Sequence, residues 1–215
     1  MNTTKNVLTV IYLFLFVWIG LFTGATLVAA EKPPENILKN GDFDLNLESW
    51  HHWTHANAAA LFQPEGKKAE PVAGKKVVYI KISDAGDAPW HIQFYQQPFT
   101  LEKNTTYTYS LWAKSEVPRD VRMRIMHQGA PWNEYASRHI SLSETWQEFF
   151  VTFKMPQDDV SSRAGIIMGA TKVDVWLDHI RLYVGEFVSD IEGAAPQAVV
   201  PLDKLATTWA TLKTY

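Results

Sequence analysis

The chain has 215 residues, 20 Lys and Arg against 23 Asp and Glu, 9 Trp, 8 Tyr and 11 Phe, and no cysteine. That length is one ordinary domain, and the missing cysteine excludes a disulfide scaffold, thiolate zinc sites, iron–sulfur clusters and a cysteine nucleophile. The formal net charge of -3 argues against a nucleic-acid binder with a broad basic face.

At the start of the chain, Lys5 precedes an uncharged run from Val7 to Ala30 that ends in Val28-Ala29-Ala30. This reads as a secretory signal cut after Ala30. An uncut anchor is the alternative, since a run of this length can span a bilayer. Both place the rest of the chain outside the cytoplasm, secreted, periplasmic or on the cell surface, and an exported chain without cysteine suits a bacterial source. The layout is then a signal peptide at 1–30, a domain at 31–188 and a linker with a short helix at 189–215.

From Asn36 to Gly185, short runs rich in Val, Ile, Tyr, Phe and Trp alternate with Gly, Pro, Asn and Asp clusters. That rhythm predicts an all-β sandwich. The expected strands are Ile37–Lys39, Ala58–Gln63, Lys76–Ser83, His91–Phe99, Thr106–Lys114, Val121–His127, Ser137–Ser141, Gln147–Lys154, Ala164–Met168 and Val175–Val184. Alternation puts Val78, Ile80 and Ile82 on one face, and sets Val121, Met123 and Ile125 against Arg122, Arg124 and Gln128. One face is core and the other is polar. Beyond the linker Ala194-Ala195-Pro196-Gln197-Ala198, the residues Leu202, Leu205, Ala206, Trp209 and Leu212 recur at helical spacing. They predict a short amphipathic helix that docks on the sandwich or on a protein partner.

Five motifs come in one order: Asn36-Ile37-Leu38-Lys39-Asn40-Gly41-Asp42-Phe43-Asp44 with Trp50; Pro89-Trp90-His91-Ile92-Gln93; Tyr107-Thr108-Tyr109-Ser110-Leu111-Trp112-Ala113-Lys114; Thr145-Trp146-Gln147-Glu148; and Val175-Trp176-Leu177-Asp178-His179-Ile180. Across about Asn36 to Gly185 the chain resembles the CenC-type carbohydrate-binding modules of families 4 and 9, relatives of family 22. The resemblance implies a galactose-binding-like β-jelly roll of two antiparallel sheets. It implies a non-catalytic module that holds poly- or oligosaccharide on a concave sheet face, often as an accessory to a glycoside hydrolase.

The composition suits that task independently. Sugar rings have apolar C–H faces and hydroxyl rims, so a site needs exposed flat aromatics with amides, guanidinium groups or carboxylates around them. Trp90 follows a Gly86-Asp87-Ala88-Pro89 turn and Trp132 lies in a loop between Pro131 and Asn133, so both are candidate stacking platforms. The polar partners are His91, Gln93 and Tyr95 on one strand, and Arg122, Arg124 and Gln128 on another. Trp112, Trp146 and Trp176 sit inside strand runs and read as core.

The segment His51-His52-Trp53-Thr54-His55 carries imidazoles at i and i+4, which would face one metal on a helix, but its surroundings are turn-rich and offer no helical pattern. Carboxylates suit calcium better. The resemblance places a structural calcium at Asp44 and Asp178, with Asp42 nearby and main-chain oxygens near Gly41 and Lys76. Asp44 departs from the family's usual glutamate. The alternative role for these aspartates is turn capping.

Jelly rolls also host glycoside hydrolases and polysaccharide lyases. A glycosidase needs two facing carboxyl groups, and Glu134, Glu144 and Glu148 show no such pairing at strand alternation. Tyr95 or His127 with Arg124 could serve a lyase. A surface adhesion or assembly subunit is the third reading, set apart by a contiguous apolar patch.

Overall fold

The computed structural model describes residues 33–66 and 69–191. The signal segment, and the linker and helix beyond residue 191, lie outside them. Two five-stranded antiparallel sheets stack face to face. In chain order the strands are β1 His51–Thr54, β2 Ala59–Glu65, β3 Val77–Asp84, β4 Ile92–Leu101, β5 Thr106–Ser115, β6 Arg119–His127, β7 Glu134–Leu142, β8 Gln147–Lys154, β9 Asp159–Ile167 and β10 Val175–Val184. One sheet runs β1-β4-β9-β6-β7 and the other β2-β3-β10-β5-β8. Apart from the hairpins β2-β3 and β6-β7, successive strands cross between the sheets, as in a jelly roll.

Period-two alternation builds the core between the sheets. Ile92 and Phe94 of β4, Met123 and Ile125 of β6, and Ala164 and Ile166 of β9 face Tyr109 and Leu111 of β5, and Leu177 and Leu182 of β10. Ahead of β1, Phe43 and Trp50 close one end of this core. The Trp50 ring stacks on Phe94 at 4.9 Å and 6°, and its indole N–H donates to the Asn40 carbonyl at 3.0 Å.

Two segments depart most from the expected strands. Residues 37–39 form a bend and not a strand, although Ile37 N–H donates to the Leu182 carbonyl at 2.7 Å. Side chains replace the ladder there: Asn36 bridges Ile180 O and Leu182 N, and Gln96 grips Lys39 through both its N–H and its carbonyl. Conversely, His51–Thr54 is a strand, paired antiparallel to the start of β4. As an edge strand exposing His51, His52 and Trp53, it carries no alternation of apolar residues to betray it.

Of the three tryptophans expected in the core, Trp112 is buried, as expected, and Trp146 and Trp176 are not. Because Tyr107, Tyr109, Leu111 and Ala113 point inward from β5, Trp112 points to the outer face of its sheet, where it is nonetheless buried. Trp146 and Trp176 are half-buried. The 69–73 segment lies across this face: Trp146 Nε1 donates to the Ala69 and Glu70 carbonyls at 3.3 and 3.1 Å, and the Lys114 ammonium sits 5.0 Å from the Trp146 ring centre. Buried polar residues fill the rest of it, with Arg181 bonded to Glu148 and Asp190 at 3.1 and 2.8 Å. Ser189 also donates to Glu148 at 2.7 Å, so the sandwich holds chain past residue 188.

Candidate functional site

The outer face of the β1-β4-β9-β6-β7 sheet carries the site. Alternation that turns Ile92 and Phe94 inward turns Gln93 and Tyr95 outward; β9 likewise presents Arg163, Gly165 and Ile167, and β6 presents Arg122, Arg124 and Met126. Register aligns these residues in rows across the sheet. Gln93 pairs with Ile167 and Ile167 with Arg122; Tyr95 pairs with Gly165 and Gly165 with Arg124; Met126 pairs with Arg163. Gly165 leaves the middle of the second row without a side chain. A Cβ there would stand 2.7 Å from Tyr95 Cβ and 2.8 Å from the Phe94 carbonyl oxygen, so β4 and β9 approach too closely for any other residue.

A groove of about 540 Å³ lies over these rows. Its floor is Gln93, Tyr95, Arg124, Met126 and Arg163, with Gln128 from the β6–β7 loop. Three tryptophans wall it: Trp53 from β1, Trp90 from the 3-10 turn Pro89–His91 and Trp132 from the β6–β7 loop, exposed by 39%, 46% and 50%. Large exposed rings on the same groove are unusual, since tryptophans are mostly buried. Trp53 and Trp90 stack at 5.9 Å and 22°. Trp132 is held in the left-handed region at φ 61°, with its N–H on the Gly129 carbonyl at 2.6 Å. For a bulky residue that conformation is strained, and such strain collects where a side chain must be aimed.

The polar groups are locked together. Arg163 lies 3.5 Å from the centre of the Tyr95 ring and donates to the side-chain carbonyls of Gln93 and, at 3.2 Å, Gln128. Gln93 in turn donates to the Trp90 carbonyl at 2.8 Å, which ties the floor to one wall. Burial pulls the Arg163 guanidinium down to about 10 and lowers that of Arg124 as well. Glu134 bonds both Arg122 and, at 3.2 Å, Arg124.

Of the residues expected from sequence, Trp90, Trp132, Gln93, Tyr95, Arg124 and Gln128 all line this groove. His91 does not. Its ring turns inward beneath Gly86, where a Cβ would meet His91 Nδ1 at 2.5 Å, and stacks on His55 at 4.1 Å. The reason is that β4 begins only at Ile92, so the alternation drawn through His91 stops one residue early. Arg122 shares the face but lies outside the groove lining, tied to Glu134 and to Ser137 Oγ at 3.0 Å. Sequence reading missed Trp53, Met126 and Arg163. Met126 was legible, being in alternation with Arg122 and Arg124, whereas Arg163 fell outside because β9 starts at Asp159 and not at Ala164.

The expected metal residues gather at another place, around the 72–75 segment. Asp178 Oδ2 accepts the Val72 and Ala73 N–H groups at 2.7 and 3.1 Å, Asp44 Oδ1 accepts that of Lys75 at 2.7 Å, and Asp42 bonds His179 Nδ1 at 2.6 Å. Burial pushes the Asp178 carboxyl up to about 7. Among the described residues, no group of three or more His, Cys, Asp or Glu side chains is arranged to hold a metal ion. His51 and His55 serve no common site either, since His51 stacks on Tyr95 and His55 on His91.

Comparison with known proteins agrees with the fold. The carbohydrate binding domain family 4/9 matches residues 35–171. A CBM4 structure is similar over 69% of this chain and 99% of its own, at 26% identity and a TM-score of 0.60. TmCBM61, solved in complex with β-1,4-galactotriose, shares the fold at 13% identity and a TM-score of 0.52, over 70% of this chain and 99% of its own. So does the enzymatically active domain of the bacteriophage CBA120 tailspike protein 4, at 13% identity and a TM-score of 0.56, over 70% of this chain and 21% of its own. No curated protein sequence matches the chain. The chain belongs to the family 4/9 carbohydrate-binding domains, and its function is carbohydrate binding.

Proposed function

We propose that poly- or oligosaccharide lies in the groove of the β1-β4-β9-β6-β7 sheet, with Trp53, Trp90 and Trp132 stacking on sugar faces. Gln93, Tyr95, Arg124, Gln128 and Arg163 take the hydroxyl rim. The observation that carries this reading is the trio of exposed tryptophans around one polar-floored groove. Apolar rings walling a floor of amides and guanidinium groups fit a sugar better than the contiguous apolar surface a protein partner would require.

The module binds without cleaving. Glycosidase chemistry calls for two free carboxyl groups across a cleft, whereas the groove lining contains none and the nearby Glu134 is held by two arginines. Its place is outside the cytoplasm, on the strength of the apolar leader; among the described residues, no helix is long and apolar enough to cross a membrane. The test is titration with soluble β-glucans, xylan, mannan and alginate, with reducing-end and unsaturated-product assays on the same mixtures. Saturable binding without product is expected, and product release would overturn the non-catalytic reading.

A structural calcium at Asp42, Asp44 and Asp178 is part of the same proposal. The residue types suit a hard cation, and Asp178 is a fully buried carboxylate, although Asp178 and Asp44 already accept main-chain N–H groups and Asp42 already pairs with His179. The ion would supply charge neutralisation and fix the 72–75 segment on the sandwich.

A further inference from the structure

Resting on the groove assignment above, we infer that the bound glycan is anionic, carrying uronate or sulfate groups read by Arg163 and Arg124. Three guanidinium groups, Arg122, Arg124 and Arg163, stand on one sheet face. A single carboxylate, Glu134, is shared between the first two. Among the described residues Arg163 bonds no carboxylate; its partners are the neutral amides of Gln93 and Gln128 and the face of Tyr95. Yet only 7% of it is exposed.

An unneutralised charge held away from water is costly, so it needs a compensating anion or a functional reason. The downward pull on the Arg163 pKa reports that cost. The buried arginines that serve the fold are satisfied by carboxylates or main-chain carbonyls, whereas Arg163 rests on two side-chain amides that line the groove. Arg181 pairs with Glu148 and Asp190, and Arg119 donates to the carbonyls of Thr171, Val173 and Met168 at 3.0, 2.7 and 2.5 Å. Nor is the excess a matter of composition, since the chain as a whole is acidic. Neutral hydroxyls are satisfied by single hydrogen bonds, which the two amides of the groove can supply. A guanidinium fork instead matches carboxylate or sulfate oxygens in paired hydrogen bonds, and a low-dielectric wall focuses its field on them.

The test measures binding of the 215-residue chain to matched pairs: polygalacturonate and alginate beside their carboxyl-reduced forms, and dextran sulfate beside dextran. Each is run at low and high salt, with Arg163→Gln and Arg124→Gln variants checked for an unchanged melting temperature. The expected result is an affinity about tenfold or more higher for a charged member than for its neutral partner. Salt and either substitution should erase most of that difference. Preference within the uronate or the sulfate pair tells which group is read. Equal, salt-insensitive binding of charged and neutral partners would overturn the anionic reading while leaving carbohydrate binding in this groove intact. Loss of all binding in Trp90→Ala with no preference in the parent would also overturn it, and binding that persists in all three Trp→Ala variants would sink the groove assignment itself.

Discussion

Arg163 lies over Tyr95, its guanidinium carbon 3.5 Å from the ring centre, although the two residues sit on neighbouring strands 68 positions apart in the sequence. The contact depends on Gly165, the residue opposite Tyr95 in β9, whose missing side chain lets the strands close in. Floor chemistry and strand spacing are therefore one feature, and most of the predictions below test its parts.

Trp53→Ala, Trp90→Ala and Trp132→Ala should each lower glycan affinity by about 2 kcal/mol. Their effect on folding stability should stay within about 0.5 kcal/mol, since the rings are exposed. Trp50→Ala is the contrast: that ring is buried between Phe43 and Phe94, and its removal should cost about 3–5 kcal/mol of stability. Calorimetric titration and denaturant melts on the same proteins separate the two kinds of tryptophan. The Trp53 and Trp90 losses should not add, because the two rings touch.

Gly165→Ala should destabilise the domain by about 1–3 kcal/mol. The new methyl would meet the Phe94 carbonyl at 2.8 Å, a backbone atom that cannot step aside. Binding should weaken together with stability as Tyr95 is pushed out of the floor. A melt unchanged from the parent would refute the close approach of β4 and β9.

Asp159 predicts an acid limb in the stability profile. Burial raises its carboxyl, but bonds from Ser161 N–H, Tyr135 O–H, His127 and Ser162 outweigh that and leave it below the usual carboxylate range. A carboxyl whose folded pKa is depressed contributes stability fully above the unfolded value of about 3.9. That contribution disappears as pH falls through the lower folded value. Melts between about pH 5 and pH 2 should show a steeper acid loss in the parent than in Asp159→Ala, which begins less stable at neutral pH.

Calcium should raise the melting temperature and a chelator should lower it again. At about a hundredfold excess over its dissociation constant, a ligand of the folded state adds about 2.7 kcal/mol. Asp44→Ala, at an exposed position, should abolish the increment with little effect on the metal-free melt. Identical melts with calcium and with chelator would remove the ion from the proposal.

The sheet class and most of the strands were legible in the chain alone, because alternation over runs such as Val77–Ile82 and Val121–Ile125 is a local signal that burial of one face imposes. The sequence also marked Trp90 and Trp132, since turn residues on either side keep large rings at the surface. What alternation could not mark was an edge strand exposed on its outer side, so β1 and Trp53 stayed hidden among histidines. It likewise placed Trp146 in the core, when that ring is half-buried on the outer face of its sheet against the 69–73 segment.

Which polar residues meet is set by strand pairing and strand order. Gln93, Gln128 and Arg163 come from a strand, a loop and a second strand far apart in the chain, and register and strand order bring them within hydrogen-bonding reach. A residue's face follows from its neighbours in sequence, but its partners follow from long-range pairing, which no local pattern encodes. The groove's excess of positive charge is a property of that pairing, set inside a chain whose net charge has the opposite sign.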